Sequence, residues 1–289
     1  MLHSTLQTSL HHLPEGYALW ATLNAALQAH TNELRIAACG LLKAGKSSLL
    51  NALTDQLETE WFATGATRTT VQNQFLTRHN FTFIDTPGLD ATAQDDAEAW
   101  AGLHQADILL FVHHPGTGEL HREEMEFLAR LTGQPGARQT LANRLLVVLS
   151  HLDSISQDDM ARIEARVQAQ IHRLTGFQPR CFQVSFTAYK KGKLQAKTAL
   201  ANHSGIPALQ TCLGDPSLRA ICQSFRKDRI RESRQRLLDA VDQALALRQG
   251  QIRQLQRNRE QLERNFMDDA TRLLTHLHSK MAFYNQFYS

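Results

Sequence analysis

Residues 34–53 read LRIAACGLLKAGKSSLLNAL. The run Leu34 to Cys39 fits a buried strand, and SSLLNAL fits the opening of a helix. Between them lies Gly40-Leu41-Leu42-Lys43-Ala44-Gly45-Lys46-Ser47, a full G-x-x-x-x-G-K-S. Glycine at both ends lets such a loop wrap closely round a polyphosphate, with its N–H groups aimed inward at a helix N-terminus that favours anions. Lys46 would bridge the β- and γ-phosphates and Ser47 would ligate Mg²⁺. A functionless glycine turn would need the strand, the helix and the Lys-Ser pair by accident. Residues Gly40 to Ser48 are therefore the candidate nucleotide cradle.

From Leu34 onward, short apolar runs alternate with helical patterns as far as Ser185. VQNQFL (71–76), FTFI (81–84), ADILLFV (106–112), RLLVVL (144–149) and RCFQV (180–184) read as strands. Helices are expected over 46–53, 95–104, 119–131 and 157–174, with another at 17–30 before the first strand. The alternation predicts an α/β fold: a mostly parallel sheet covered by helices, its chemistry on strand-to-helix loops. After Gly205, Pro207, Gly214 and Pro216 the composition changes, and residues 217–278 hold no proline and only Gly250. Two long helices fit that segment, with an apolar stripe through Leu237, Val241, Ala244, Ile252, Leu255, Leu262, Phe266, Leu273 and Leu277 that Arg259 and Asp269 interrupt. The expected division is a helical segment 1–30, a nucleotide domain 31–216 and a coiled-coil-like helical extension 217–289.

Composition sets outer bounds. With 289 residues, 42% hydrophobic and 20% charged, the chain has room for one large domain plus an accessory element, and it is neither disordered nor fibrous. No apolar run approaches membrane-spanning length and no secretory layout opens the chain, so a cytoplasmic location is expected. The four cysteines lack C-x-x-C spacing and are expected as reduced core thiols, while the adjacent histidine pairs lack a metal-ligand framework. Residues 217–289 carry 14 Lys and Arg against 8 Asp and Glu, so the tail is the basic part.

Two further motifs follow the loop. Asp85-Thr86-Pro87-Gly88 closes the strand FTFI, where Asp85 can hold magnesium through its water shell and Gly88 can offer an N–H to a γ-phosphate. Between the motifs, Thr64-Gly-Ala-Thr67-Arg-Thr69-Thr70 supplies threonines able to close on Mg²⁺ and γ-phosphate, Thr70 first, then Thr69, with Thr67 open.

Together these three motifs resemble those of the P-loop GTPase superfamily. The resemblance implies a base-reading element after the fifth strand and another after the sixth, here Ser150-His151-Leu152-Asp153 and Ser185-Phe186. Asp153 can accept two hydrogen bonds from the guanine edge, a donor pair that adenine lacks. Ser150 and His151 depart from the family's Asn or Thr and Lys; His151 keeps a ring that could lie on the base. Leu89 stands where Ras-like members carry glutamine. The string KAGKSSLLNAL looks like that of bacterial dynamin-like GTPases, in which Lys43 could supply the positive charge that a monovalent cation gives some relatives.

That likeness implies GTP/GDP and Mg²⁺ as ligands, catalytic roles for Lys46, Lys43, Thr70 and Gly88, and flanking helices that pass on the nucleotide state. It also implies a homodimer or protein partner through the nucleotide face and helices. The alternatives are an Era-like switch whose basic tail binds RNA, a scaffold that binds nucleotide with little hydrolysis, an ATPase or small-molecule kinase, and a peripheral membrane role for the basic amphipathic helix.

Overall fold

The computed structural model describes residues 15–28, 33–59, 61–63, 73–88, 100, 102, 103, 105–133 and 137–287. They fall into two units, residues 24–231 and residues 1–23 with 232–289.

In the larger unit six strands form one sheet: β1 (Leu34–Cys39), β2 (Gln74–Arg78), β3 (Phe81–Asp85), β4 (Ile108–His113), β5 (Leu145–Leu149) and β6 (Arg180–Gln183). Their order is β2-β3-β1-β4-β5-β6, with β2 antiparallel to β3 and all other pairs parallel. A parallel strand is covered on both faces, which explains why β4 and β5 are buried at every position and read as unbroken apolar runs. Alternate residues feed separate cores: Ile36, Leu146 and Val148 face one layer, and Ala37, Val147 and Leu149 the other.

The helices among the described residues are α1 (Gly16–Gln28), α2 (Lys46–Leu53), α3 (Arg122–Thr132), α4 (Ala137–Ala142), α5 (Gln157–Thr175), α6 (Phe186–Leu194), α7 (Thr198–Asn202), α8 (Ile206–Leu213) and α9 (Pro216–Phe287). Local chemistry sets several boundaries. Ser156 Oγ accepts from the Asp159 N–H at 3.1 Å to open α5, and Gly176, at φ +81°, closes it. Glu124 reaches back to the His121 N–H at 2.9 Å, so α3 starts at Arg122 rather than at 119. Strand β2 starts at Gln74 rather than 71, and the expected helix 95–104 falls largely outside the described residues.

One expectation is corrected. The segment after Pro216 is a single helix of 72 residues, not two. Gly250 does not break it: a Cβ there would meet nothing within 4 Å, so the glycine weakens the helix by about 1 kcal/mol without a turn to stabilise. The first turns of α9 belong to the sheet's packing, with Leu218 and Cys222 buried in the same core as Ile36 and Leu110.

Candidate nucleotide-binding site

Strand order reverses at β1, whose neighbours β3 and β4 both run parallel to it, and the crevice at its carboxyl end is where a ligand can enter. The G-x-x-x-x-G-K-S loop occupies that position. Gly40 adopts φ +147°, and a Cβ there would lie 2.1 Å from the Val112 carbonyl oxygen of β4. Gly45 sits at φ +99° as the N-cap of α2, supplying no side-chain acceptor to the helix's first N–H groups. Those N–H groups are the ones an anion would satisfy. Lys46 is buried, its ammonium donating to the carbonyls of Leu41 at 2.9 Å and Gly40 at 3.2 Å. Lys43, at φ +63°, is exposed, as is Leu42 beside it.

The Ser47 hydroxyl donates to Asp85 at 2.6 Å, joining the first motif to the second across 38 residues. Thr86 is fully buried and anchors the turn after β3 by donating to the Ala38 carbonyl at 2.7 Å, a role that sequence reasoning missed. Gly88 is the last described residue of that turn; Thr67, Thr69, Thr70 and Leu89 lie outside the described residues. Oxygen donors of Ser47 and Asp85 suit a hard cation such as Mg²⁺, so this pair fits the metal the motifs imply. Behind the loop, burial pushes the Cys39 thiol up to about 12, which keeps it protonated and inert. Cys222 is equally buried, whereas Cys181 and Cys212 are only half-buried, so two of the four thiols are not fully in the core.

The elements after β5 and β6 converge on the same loop. Ser185 caps α6, accepting from the Ala188 N–H at 3.0 Å while its hydroxyl donates to Asp153 at 2.5 Å. Asp153 is thereby fixed but exposed, with carboxylate capacity left for an incoming donor. The Phe186 ring comes to 2.7 Å from where a Gly45 Cβ would stand, so it lies against the phosphate loop. Buried Ser150 hydrogen-bonds the His113 carbonyl at 3.2 Å and His151 Nδ1 at 2.8 Å, which fixes the imidazole. A cavity of about 400 Å³ between α2 and α6 shares Ser48 and Phe186 with this site.

His151 is in the left-handed region at φ +57°, and its ring stacks on His114 at 4.0 Å and 5° and meets Phe186 edge-on. His114 gave no sequence signal beyond its adjacency to His113. Burial first, then the neighbouring His151 and His113, holds His114 below the ordinary histidine value of 6.5; burial does the same to His151, opposed by Asp153. Folded protein thus carries neutral rings while an unfolded chain would take up protons. Their contribution to stability is present above 6.5 and is lost as pH falls from there through the lower folded values. Thermal midpoints should accordingly decline on acidification from neutral pH. In His114→Phe, which keeps a stacking ring but no titrating nitrogen, that decline should be shallower; identical slopes would show that the pair does not carry it.

Residues 35–151 match the family model described as 50S ribosome-binding GTPase. The chain carries a P-loop GTPase domain. An uncharacterized protein of Acinetobacter baylyi is 32% identical over 233 residues, which are 76% of this chain and 52% of that one. The chain therefore spans about half the length of that relative. Among solved structures, a member of an oligomerised bacterial dynamin pair, described as sensing and tethering membranes, aligns with TM-score 0.52 and 17% identity over 84% of this chain and 54% of its own. Toc33 from Arabidopsis thaliana aligns with TM-score 0.49 and 16% identity over 74% of this chain and 95% of its own. At these identities the bacterial dynamin establishes likeness of fold. Among the described residues, no helix of this GTPase-domain protein is long and apolar enough to cross a membrane.

Proposed function

We propose that this protein binds GTP with Mg²⁺ and hydrolyses it to GDP and phosphate, and that its nucleotide state acts on the flanking helices as in dynamin-like GTPases. The observation that carries this reading is the Ser47–Asp85 hydrogen bond of 2.6 Å beside the buried Lys46 ammonium. Ser47 and Asp85, with Thr69 or Thr70, would hold the magnesium, which supplies charge neutralisation at the phosphates when bound. Lys46 would leave its two loop carbonyls for the β- and γ-phosphate oxygens as charge develops there during in-line attack by water. Gly88 would offer its N–H to the γ-phosphate, and exposed Lys43 would add positive charge beside the phosphates.

Asp153 supports guanine as the base. Its carboxylate, oriented by Ser185, can accept from both N1–H and the exocyclic amine. Titration calorimetry with GTP, GDP and ATP in the presence of Mg²⁺ tests this, repeated on Asp153→Asn. GTP and GDP are expected to bind well ahead of ATP, and the substitution should weaken them by about 1.5–3 kcal/mol, since one acceptor becomes a donor facing a donor. A wild-type preference for ATP, or an Asp153→Asn protein that keeps full guanine affinity, would defeat the base assignment.

A further inference from the structure

Between Ile252 and His276, the stripe of α9 advances by alternate steps of three and four residues, the spacing of a coiled-coil seam. Its apolar members Ile252, Leu255, Leu262, Phe266 and Leu273 are 53–71% exposed, and no described residue covers them. Exposed apolar surface on this scale marks an interaction face. Two charges, Arg259 and Asp269, occupy seam positions, and their placement is informative. They lie symmetrically about the midpoint between Leu262 and Phe266.

We propose that residues 252–276 of two copies of this chain pair through this seam as an antiparallel homodimer. About a twofold axis between Leu262 and Phe266, Leu262 faces Phe266 of the second copy and Leu255 faces its Leu273. In the same register Arg259 faces Asp269 of the second copy, and the reverse pair repeats it. Both charged interruptions are thereby matched to opposite charges, once on each side of the axis. A parallel, in-register pair would instead set Arg259 against Arg259 and Asp269 against Asp269. Sliding the antiparallel pair by one heptad would put Arg259 against Leu262 or His276, leaving its charge unmatched. Beyond Ile252 and His276 the next layer would join Arg248 to Lys280, a like-charged contact that bounds the seam.

Within one copy, Arg259 pairs with Glu263 at 3.4 Å and Asp269 with Arg272 at 3.8 Å, all exposed. Exposed pairs of this kind hold weakly and can be exchanged on association. A lipid surface would match the apolar stripe but leave Asp269 facing the bilayer, so the charge pattern favours a second copy. The proposal does not depend on nucleotide.

Sedimentation velocity of the full chain without nucleotide tests it. Wild type is expected to reach a dimer, and Arg259→Asp or Asp269→Arg alone to weaken association by at least about tenfold, since each sets like charges opposite one another. The double reversal R259D/D269R should restore it. Circular dichroism should show unchanged helix content in all three, because both positions are exposed. A wild type that remains monomeric, including one that instead floats with anionic vesicles, overturns the proposal. So do single reversals without effect, or a double reversal that fails to recover. None of these outcomes touches the nucleotide reading.

Discussion

Lys46→Ala is expected to reduce triphosphate affinity by at least about a hundredfold, close to 3 kcal/mol for one buried charge-assisted contact, while the protein stays folded. The side chain is 7% exposed, and its ammonium is held by the Leu41 and Gly40 carbonyls in the loop itself. Alanine is a good helix former at the first position of α2, so the loop's backbone should survive the change. Titration calorimetry with GTP and Mg²⁺ reads the loss, and a thermal melt confirms folding. Retained affinity in a folded variant would mean that no phosphate cradle exists at residues 40–47, and the proposed chemistry of Ser47, Asp85 and Gly88 would lose its support.

Much of the fold was legible because the sheet's strands are short apolar runs bounded by punctuation. Leu34–Cys39 and Lys46–Leu53 stand where periodicity placed them, and α5 differs by one residue at its end. The P-loop was legible because Gly40 and Gly45 answer backbone demands that few other residues meet, at positive φ and against Val112 and Phe186. What escaped the sequence are contacts between residues far apart in the chain that share no motif. His114 meets His151 only because β4 and β5 are neighbours, and Thr86 ties to Ala38 only because β3 lies beside β1. Nothing in a linear pattern announces either. The two-helix expectation failed for another reason: one glycine in a long polar-apolar repeat is a weak breaker, and no turn residues accompany Gly250.

Arg226→Ala should lower unfolding stability by about 3–5 kcal/mol, the loss incurred when one member of a buried ion pair is removed. Asp107 is fully buried at the start of β4, and Arg226 of α9, 7% exposed, donates to it through Nε at 2.6 Å and through a second nitrogen. The same carboxylate accepts the Arg35 N–H at 2.7 Å, and Arg226 also reaches the Glu33 carbonyl. One charge pair therefore ties three chain segments at the amino-terminal end of the central strands β1 and β4, opposite the phosphate loop. Around it the balance is already basic: burial, then the neighbouring Arg229, brings the Arg144 guanidinium down to about 10. Without Arg226, Asp107 would keep a buried charge with fewer donors; without Asp107, the surrounding guanidiniums would face one another. Urea unfolding should therefore show a large fall in midpoint for either single variant. Arg226→Met combined with Asp107→Leu should lose much less than the two singles together, because the uncompensated charge disappears with its partner. A single-variant loss below about 1 kcal/mol would place the pair among surface-like contacts. The start of α9 would then be held by its other contacts, among them the apolar packing of Leu218 and Cys222.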